Sequence, residues 1–308
     1  MMSERPRVGL FIYHDCAWDD LLKDVQGVEA AGFESVFVGD TFVHPLTEAA
    51  WFDVWTILPA LAQATERIRV GTLVTNIVNR NPAMLAQQAV TVNHISGGRL
   101  VLGIGTGGHH ACHSMTGTPE WPLRERLDRF GEFMAIIDEM LRKEVTSYQG
   151  AHYQIREARL PRPIELPRPR LMVAAERPRS LRVAAQHADI WIFMDGEYRP
   201  GSVRKLEEIR AQNERFDELA SKAGRDPASI ERWMLCGYSA RTAFESIAQL
   251  QDMMGQFQAL GIEGFIFNYQ PRGPGEIVLT GKHKPAYHQF LHHPDRLHEL
   301  AEALKLPS

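Results

Sequence analysis

Residues 68–108 read IRVGTLVTNIVNRNPAMLAQQAVTVNHISGGRLVLGIGTGG, and this stretch decides the fold. Ile68–Val74 and Leu100–Gly105 are β-branched or aliphatic at nearly every position, the pattern of strands covered on both faces of a parallel sheet. Between them Asn81-Pro82 supplies a helix start with proline in the first turn, and Ser96-Gly97-Gly98 stops the helix. Strand, helix and strand in so short a span form a crossover unit. The loops after both strands are rich in Gly, Thr and Asn, which let backbone approach a ligand.

The same alternation extends in both directions. Strands are expected at Arg7–Ile12, Ser35–Val38, Arg170–Ala174, Asp189–Phe193, Trp233–Tyr238 and Gly264–Phe267. Helices are expected at Asp19–Ala31, Phe52–Ala64, Pro122–Lys143, Arg179–His187, Val203–Ala223, Ala243–Leu260 and Asp295–Leu304. In Pro122–Lys143 the apolar residues Leu127, Phe130, Met134, Ile137 and Leu141 recur three or four apart. Ser147–Ile155 breaks the rhythm with a Gln149-Gly150 turn signal, and Pro161–Pro169 is too proline-rich for regular structure. Eight strand–helix units without a break in composition predict one (β/α)8 barrel across residues 1–308. The hairpin and the Pro-rich connector are inserted between strands four and five, as a candidate lid. A doubly wound open sheet is the structural alternative.

Composition narrows the class. A formal net charge of −4, with no long basic run, argues against a nucleic-acid partner. Cys16, Cys112 and Cys236 form no CxxC pair and point to a reducing cytoplasm. No apolar run reaches the ~18 residues of a membrane span, and MMSERPRVGLFIY has no long apolar leader core. A soluble cytoplasmic protein is the expectation.

Gly103-Ile104-Gly105-Thr106-Gly107-Gly108 satisfies G-x-G-x-x-G. A dinucleotide fingerprint needs a helix directly behind the glycines. Here HHACHSMTGTPEWP follows, no helix is expected before Pro122, and the motif ends the fourth strand instead of the first. The dinucleotide reading falls. A Gly-rich loop over a flat cofactor and a turn that needs positive φ both stay open.

Four segments then carry a family resemblance: GFESVFVGDTF (32–42), TERIRVGTLVTN (65–76), NRNPAMLAQQAVTVNHISGGRLVLGIGTGG (79–108) and RLMVAAERPRSLRVAAQHADIWI (170–192). In this order they resemble the luciferase-like monooxygenase superfamily, barrel enzymes that use FMN or the deazaflavin F420. The resemblance covers roughly residues 7–195 and is looser beyond. It implies a cofactor ring across the C-terminal mouth of the barrel, where barrel sites form in general. Leu73, Val74, Thr75 and Asn76 match the segment that backs the ring and holds a bulge or non-prolyl cis peptide, expected at Leu73–Val74. Gly107 and its neighbours match the loop that passes near the ring and ribityl chain.

The cofactor phosphate then falls behind the fifth strand, at Ala175, Glu176, Arg177, Pro178, Arg179 and Ser180. A helix starts there, and its free N–H groups and dipole favour an anion. Arg177 or Arg179 adds a charge-assisted contact and Ser180 a hydroxyl. The plain alternative is that these are solvated helix-start residues.

Departures from the pattern matter. F420-dependent members carry Asp-His after the second strand and Glu after the Gly-Thr-Gly of the fourth. Here the residues are Asp40-Thr41 and Gly105-Thr106-Gly107-Gly108-His109, so both partners of that proton relay are missing. Luciferases carry His where Asp40 stands. Asp40 is therefore a cofactor or fold residue first and a base second. His14, His44, His109, His110 and His113 fall in loops at the expected mouth, where imidazole suits proton transfer. His14, Asp40, His109 and His110 are the candidate catalytic residues. The HHxxxH fragment has no HExxH partner, and no metal site is expected. Trp18, Phe42, Trp51, Trp121, Phe193 and Tyr269 fall in or near the same loops and suit an apolar or aromatic substrate.

The resemblance allows two chemistries on a small-molecule substrate. Reduced FMN, supplied by a separate flavin reductase, would activate O2 in a monooxygenase; F420 would exchange a hydride with a substrate carbon. The branch between FMN and F420 stays open. A homodimer is expected, with Phe52–Ala64 and Met84–His94 as candidate contact helices. The reading from a different class is a non-catalytic flavin-binding barrel, a subunit or sensor.

Overall fold

The computed structural model describes residues 6–43, 49–108, 110–161, 166–196, 204–236, 246–269 and 294–304. The elements run β1 (Arg7–Ile12), α1 (Trp18–Ala30), β2 (Ser35–Val38), α2 (Val54–Gln63), β3 (Arg69–Thr72), β4 (Thr75–Asn76), α3 (Pro82–Ile95), β5 (Leu100–Gly105), α4 (His110–Thr116) and α5 (Leu123–Arg142). They continue with β6 (Thr146–Gln149), β7 (Gln154–Ala158), β8 (Arg170–Ala174), α6 (Pro178–His187), β9 (Ile190–Met194), α7 (Leu206–Lys222), β10 (Glu231–Cys236), α8 (Ile247–Gln258), β11 (Gly264–Tyr269) and α9 (Pro294–Ala303).

Eight parallel strands close in the order β1, β2, β3, β5, β8, β9, β10, β11 and back to β1, making a (β/α)8 barrel. The two residues of β4 prolong β3 along β5. Alternation along each strand sorts the side chains. Val8, Leu10 and Ile12 face outward to the helices, while Phe11 and Tyr13 face inward with Phe37, Val101, Met172, Ile190, Ile192, Trp233 and Ile266. Phe37 and Trp233, edge to face at 6.4 Å, fill the middle of the barrel. Their bulk requires glycine opposite: a Cβ on Gly264 would lie 2.2 Å from the Trp233 ring, and one on Gly71 would lie 2.9 Å from the Phe37 ring.

The N-terminal end of the barrel is plugged by charge. Arg7, Arg69, Arg170 and Glu231 occupy inward positions at the strand starts. Glu231 accepts from Arg7 at 2.6 Å, Arg170 at 2.7 Å and the Trp233 indole at 2.9 Å. Burial opposes ionisation of Glu231, but these donors hold its carboxyl below the ordinary value. At the same end Arg99 donates to Ala62, Thr65, Ile68 and Ser96, and Glu29 accepts from three successive N–H groups, Glu66, Arg67 and Ile68.

Two expectations are corrected. A two-turn helix, α4, does follow the glycines, though none was expected before Pro122. Its polar sequence gives no apolar period. Tertiary contacts hold it: Cys112 is fully buried, and the His113 ring bonds the Pro119 carbonyl at 3.0 Å. The dinucleotide reading still fails, because the sheet is closed. The hairpin and the described part of the connector also do not cover the mouth. Glu132 of α5 accepts from the N–H groups of Ala151, His152 and Tyr153 and clamps the β6–β7 turn to the barrel's flank. Pro167 accepts from Asn93 near the end of α3, and Arg168 pairs with Asp189 just before β9, both at the N-terminal end. Among the described residues no helix is long and apolar enough to cross a membrane.

Candidate functional site

The uppermost inward positions form the floor of the mouth. They are Tyr13, Gly39, Leu73, Gly105, Ala174, Met194, Leu235 and Asn268, one from each barrel strand or its end. On one side the floor is small and apolar. The Leu73–Val74 peptide is cis, at the position expected from the sequence. Val74 lies on Gly105, where a Cβ would come within 2.4 Å of its methyl and 3.9 Å of the Ala174 methyl. Leu73, Val74 and Ala174 remain partly exposed, so they offer a flat apolar bed at the ends of β3, β5 and β8.

Beside this bed, Thr75 and Asn76 are buried. The Thr75 hydroxyl donates to Thr72 at 3.0 Å, and Thr72 bonds both N–H and C=O of Gly103, locking β3 to β5. Asn76 is held from both ends: its N–H donates to Asp40 at 3.1 Å, and its side-chain oxygen accepts from Val78 at 3.0 Å. Gly107 takes φ +70°, and a Cβ there would sit 2.2 Å from that same oxygen. Only glycine lets this loop cross Asn76.

Asp40 is 4 % exposed and is gripped by Arg80, whose guanidinium donates at 3.1 and 2.6 Å and reaches Asp53 at 2.5 Å. Burial opposes the Arg80 charge, but the Asp40 and Asp53 contacts keep it firmly protonated. The same Asp53 caps α2 by accepting from Thr56 N–H. Both Asp40 oxygens thus carry donors. Cys112 of α4 lies within reach of Asn76 and Asn79, and burial pushes its thiol up.

Behind the fifth barrel strand, Glu176, Ser180 and Arg179 of the expected phosphate group already have partners. Glu176 accepts from Met194 N–H at 3.0 Å and pairs with Arg204 at 2.8 Å. Ser180 closes the first turn of α6, accepting from Arg177 N–H at 3.2 Å. Arg179 pairs with Asp128 of α5. Ala175 is buried, its carbonyl taken by the Trp191 indole at 2.8 Å, and Arg177 points to solvent. An unforeseen cation stands nearby. Arg126 of α5 lies against Gly108 (φ +127°), where a Cβ would meet its guanidinium at 2.2 Å, and its Nε is buried without a hydrogen-bond partner. Among the described residues no carboxylate pairs with it.

The histidines separate. His14 is 1 % exposed, bonds the Gly39 carbonyl through Nε2 at 3.1 Å and meets the Trp51 ring, tilted by 42°, at 4.4 Å. His110 begins α4 and is exposed. His113 turns away to Pro119 and Trp121. His44 and His109 lie outside the described residues. Of the aromatic candidates, Trp51 joins the inward cluster at the mouth, whereas Phe193 and Tyr269 face outward into the core. The sequence reading missed Tyr13, Arg80, Arg126, Arg204 and Asn268. The alternation of β1 and β11 carries a signal for Tyr13 and Asn268, since each continues its strand's inward parity. Nothing local marks the arginines.

Fold and geometry together define a (β/α)8 barrel with its candidate site at the C-terminal mouth. The chain belongs to the luciferase-like monooxygenase family, whose sequence profile matches residues 6–306. The F420-dependent glucose-6-phosphate dehydrogenase of Amycolatopsis mediterranei is 32% identical over 183 residues, 58% of this chain and 54% of that protein. The chain therefore spans about half the length of this relative. An F420-dependent secondary alcohol dehydrogenase, solved with an F420-acetone adduct, has the same fold with a TM-score of 0.73 and 21% identity, covering 86% of this chain and 93% of that one. Monooxygenase RslO1 from Streptomyces bottropensis has a TM-score of 0.71 and 18% identity, covering 97% of both chains.

Proposed function

We propose that this protein is an F420-dependent oxidoreductase acting on a small, apolar or aromatic organic substrate. The observation that carries the reading is the flat bed of Leu73, Val74 and Ala174, flanked by the Gly107–Gly108 turn and the Arg126 guanidinium. An apolar ledge with a cation and exposed loop amides at one edge suits a planar ring on a phosphate-bearing tail. The relative and the solved neighbour named for F420 support this branch. When bound, F420 supplies a carbon that takes or gives a hydride.

The chain's own residues do the rest. Leu73 and Val74 back the ring, and Thr75 and Asn76 fix that segment through Thr72 and Asp40. Gly107 and Arg126 take the tail, with the first turn of α6 (Arg177 and Ser180) as a second anion contact. Asp40 acts as a positioning residue: its oxygens hold Arg80 and the Asn76 N–H, which leaves buried His14 and the His109-His110 pair as the proton-transfer candidates. We place the homodimer contact on α2 and α3, where Phe52, just before α2, and Met84 of α3 are exposed. The second reading, FMN with O2 and a separate reductase, is favoured by the likeness to a monooxygenase.

Fluorescence titration of the purified protein with F420 and FMN, each oxidised and reduced, tests the proposal. Micromolar binding of F420 with weaker FMN binding is expected. Preference for reduced FMN would move the protein to the second reading. Cofactor binding without turnover of any substrate would identify a non-catalytic barrel.

A further inference from the structure

The floor of the mouth is chemically lopsided. Of its eight inward positions, Gly39, Leu73, Gly105, Ala174, Met194 and Leu235 are small or apolar, and only Tyr13 and Asn268 carry polar side chains. These two stand on neighbouring strands, β1 and β11, with the Tyr13 hydroxyl 3.4 Å from the Asn268 side-chain oxygen. They lie across the barrel from the bed on β3, β5 and β8. Both are nearly buried, at 7% and 3% exposure, so a hydrogen bond made there is shielded from water.

We infer that Tyr13 and Asn268 form the polar pole of the substrate pocket and bind the oxygen of a neutral carbonyl or alcohol. The inference rests on the proposed F420 reading. A phenol and a carboxamide offer neutral donors and acceptors, which match a ketone or hydroxyl and leave the charge of a carboxylate or phosphate uncompensated. The 3.4 Å contact between them is long for an O–H···O bond, so the Tyr13 hydroxyl loses little by donating to a substrate oxygen instead, and Asn268 Oδ1 can accept from a substrate hydroxyl. Asn268 is fixed by donating to the Cys236 carbonyl at 3.2 Å. Tyr13 is fixed by edge contacts to Phe11 at 5.2 Å and Trp51 at 5.9 Å. Apolar surface on the remaining walls then takes the rest of the substrate. Oxygen at β1 and β11 and ring at β3 set one orientation of substrate against cofactor.

The test uses the protein loaded with reduced F420 and four probes: cyclohexanone, acetophenone, pyruvate and glucose 6-phosphate. Recovery of oxidised-cofactor fluorescence reads turnover. The wild-type protein should reduce the two neutral ketones in preference to the two anions. Tyr13→Phe should raise KM for the ketones about 10-fold. F420 affinity should stay within about twofold in this variant, which removes no cofactor contact. Asn268→Ser, a smaller change that keeps a polar group, should show the same split more weakly. Unchanged ketone KM in a Tyr13→Phe protein that binds F420 would overturn the inference and leave the cofactor reading standing. So would wild-type, F420-loaded protein that reduces neither ketone. Failure of the wild-type protein to bind F420 would instead overturn the cofactor reading and, with it, the pole.

Discussion

The two ends of the barrel are built from opposite materials. At the N-terminal end, inward arginines converge on Glu231, Arg99 serves several acceptors, and Glu29 ties down three consecutive amides. At the C-terminal end the inward positions are mostly small or apolar, and the charges that occur are drawn aside into pairs such as Asp40–Arg80 and Glu176–Arg204. One end is closed by charge. The other is kept smooth, with Arg126 at its edge. Stability and the proposed cofactor site thus fall at opposite ends, and each end can be perturbed on its own terms.

The strongest way to break that separation is at the closed end. Glu231→Ala leaves Arg7 and Arg170 facing each other and should cost about 3 kcal/mol in urea unfolding, with F420 affinity unchanged. Acid should read the same end. Glu231 and Glu29 have carboxyls held below their ordinary values in the folded state, so the unfolded chain binds protons more readily. Their contribution is whole above the ordinary carboxylate range and drains away as pH falls through the folded values. Glu263, raised by burial, works in the other direction and softens the slope. The Glu231→Ala protein should therefore lose stability less steeply with acid than the wild type.

At the open end the expected effects shrink in stability and grow in binding. Arg80→Ala leaves Asp40 buried without its counter-charge and should cost about 2 kcal/mol, measured by urea. It also releases the Asp40 carboxylate that holds the Asn76 N–H, so F420 binding should weaken in the same protein. Gly107→Ala forces a side chain onto Asn76 at positive φ and should cost about 1 kcal/mol. Arg126→Ala should change stability by less than about 0.5 kcal/mol, because no ion pair among the described residues is lost. It should nevertheless weaken F420 about 10-fold, through loss of a charge-assisted contact. A large stability loss in Arg126→Ala, or a binding loss in Glu231→Ala, would break the separation.

The fold was legible because each barrel strand is an apolar run and each run is followed by a helix with its own start or stop signal. Asn81 accepts from Ala83 and Met84 as its position before Pro82 suggested. The short α4 was illegible because its two turns are held by Cys112 and His113 against distant groups, with no apolar period of their own. The geometry of the candidate site was legible where it is backbone-like: Leu73–Val74, Asn76 and Gly107 lie in a continuous motif. It was illegible where it depends on convergence. Arg80 meets Asp40 from forty residues away, and Arg126 meets Gly108 only because α5 folds back along β5. Ion pairing also settles what isolated residues leave open: Asp40, read as a cofactor or fold residue first and a base second, is bound on both oxygens, and Glu176 is paired with Arg204.

We propose the smooth end of this barrel as a deazaflavin site. Its most direct test is an equilibrium titration of the wild-type and Arg126→Ala proteins with F420 and FMN, followed by ring fluorescence. The account predicts micromolar F420 binding in the wild type, weaker FMN binding, and F420 affinity reduced about 10-fold in the variant. Wild-type protein that binds neither ring, or binds reduced FMN in preference to F420, would contradict it.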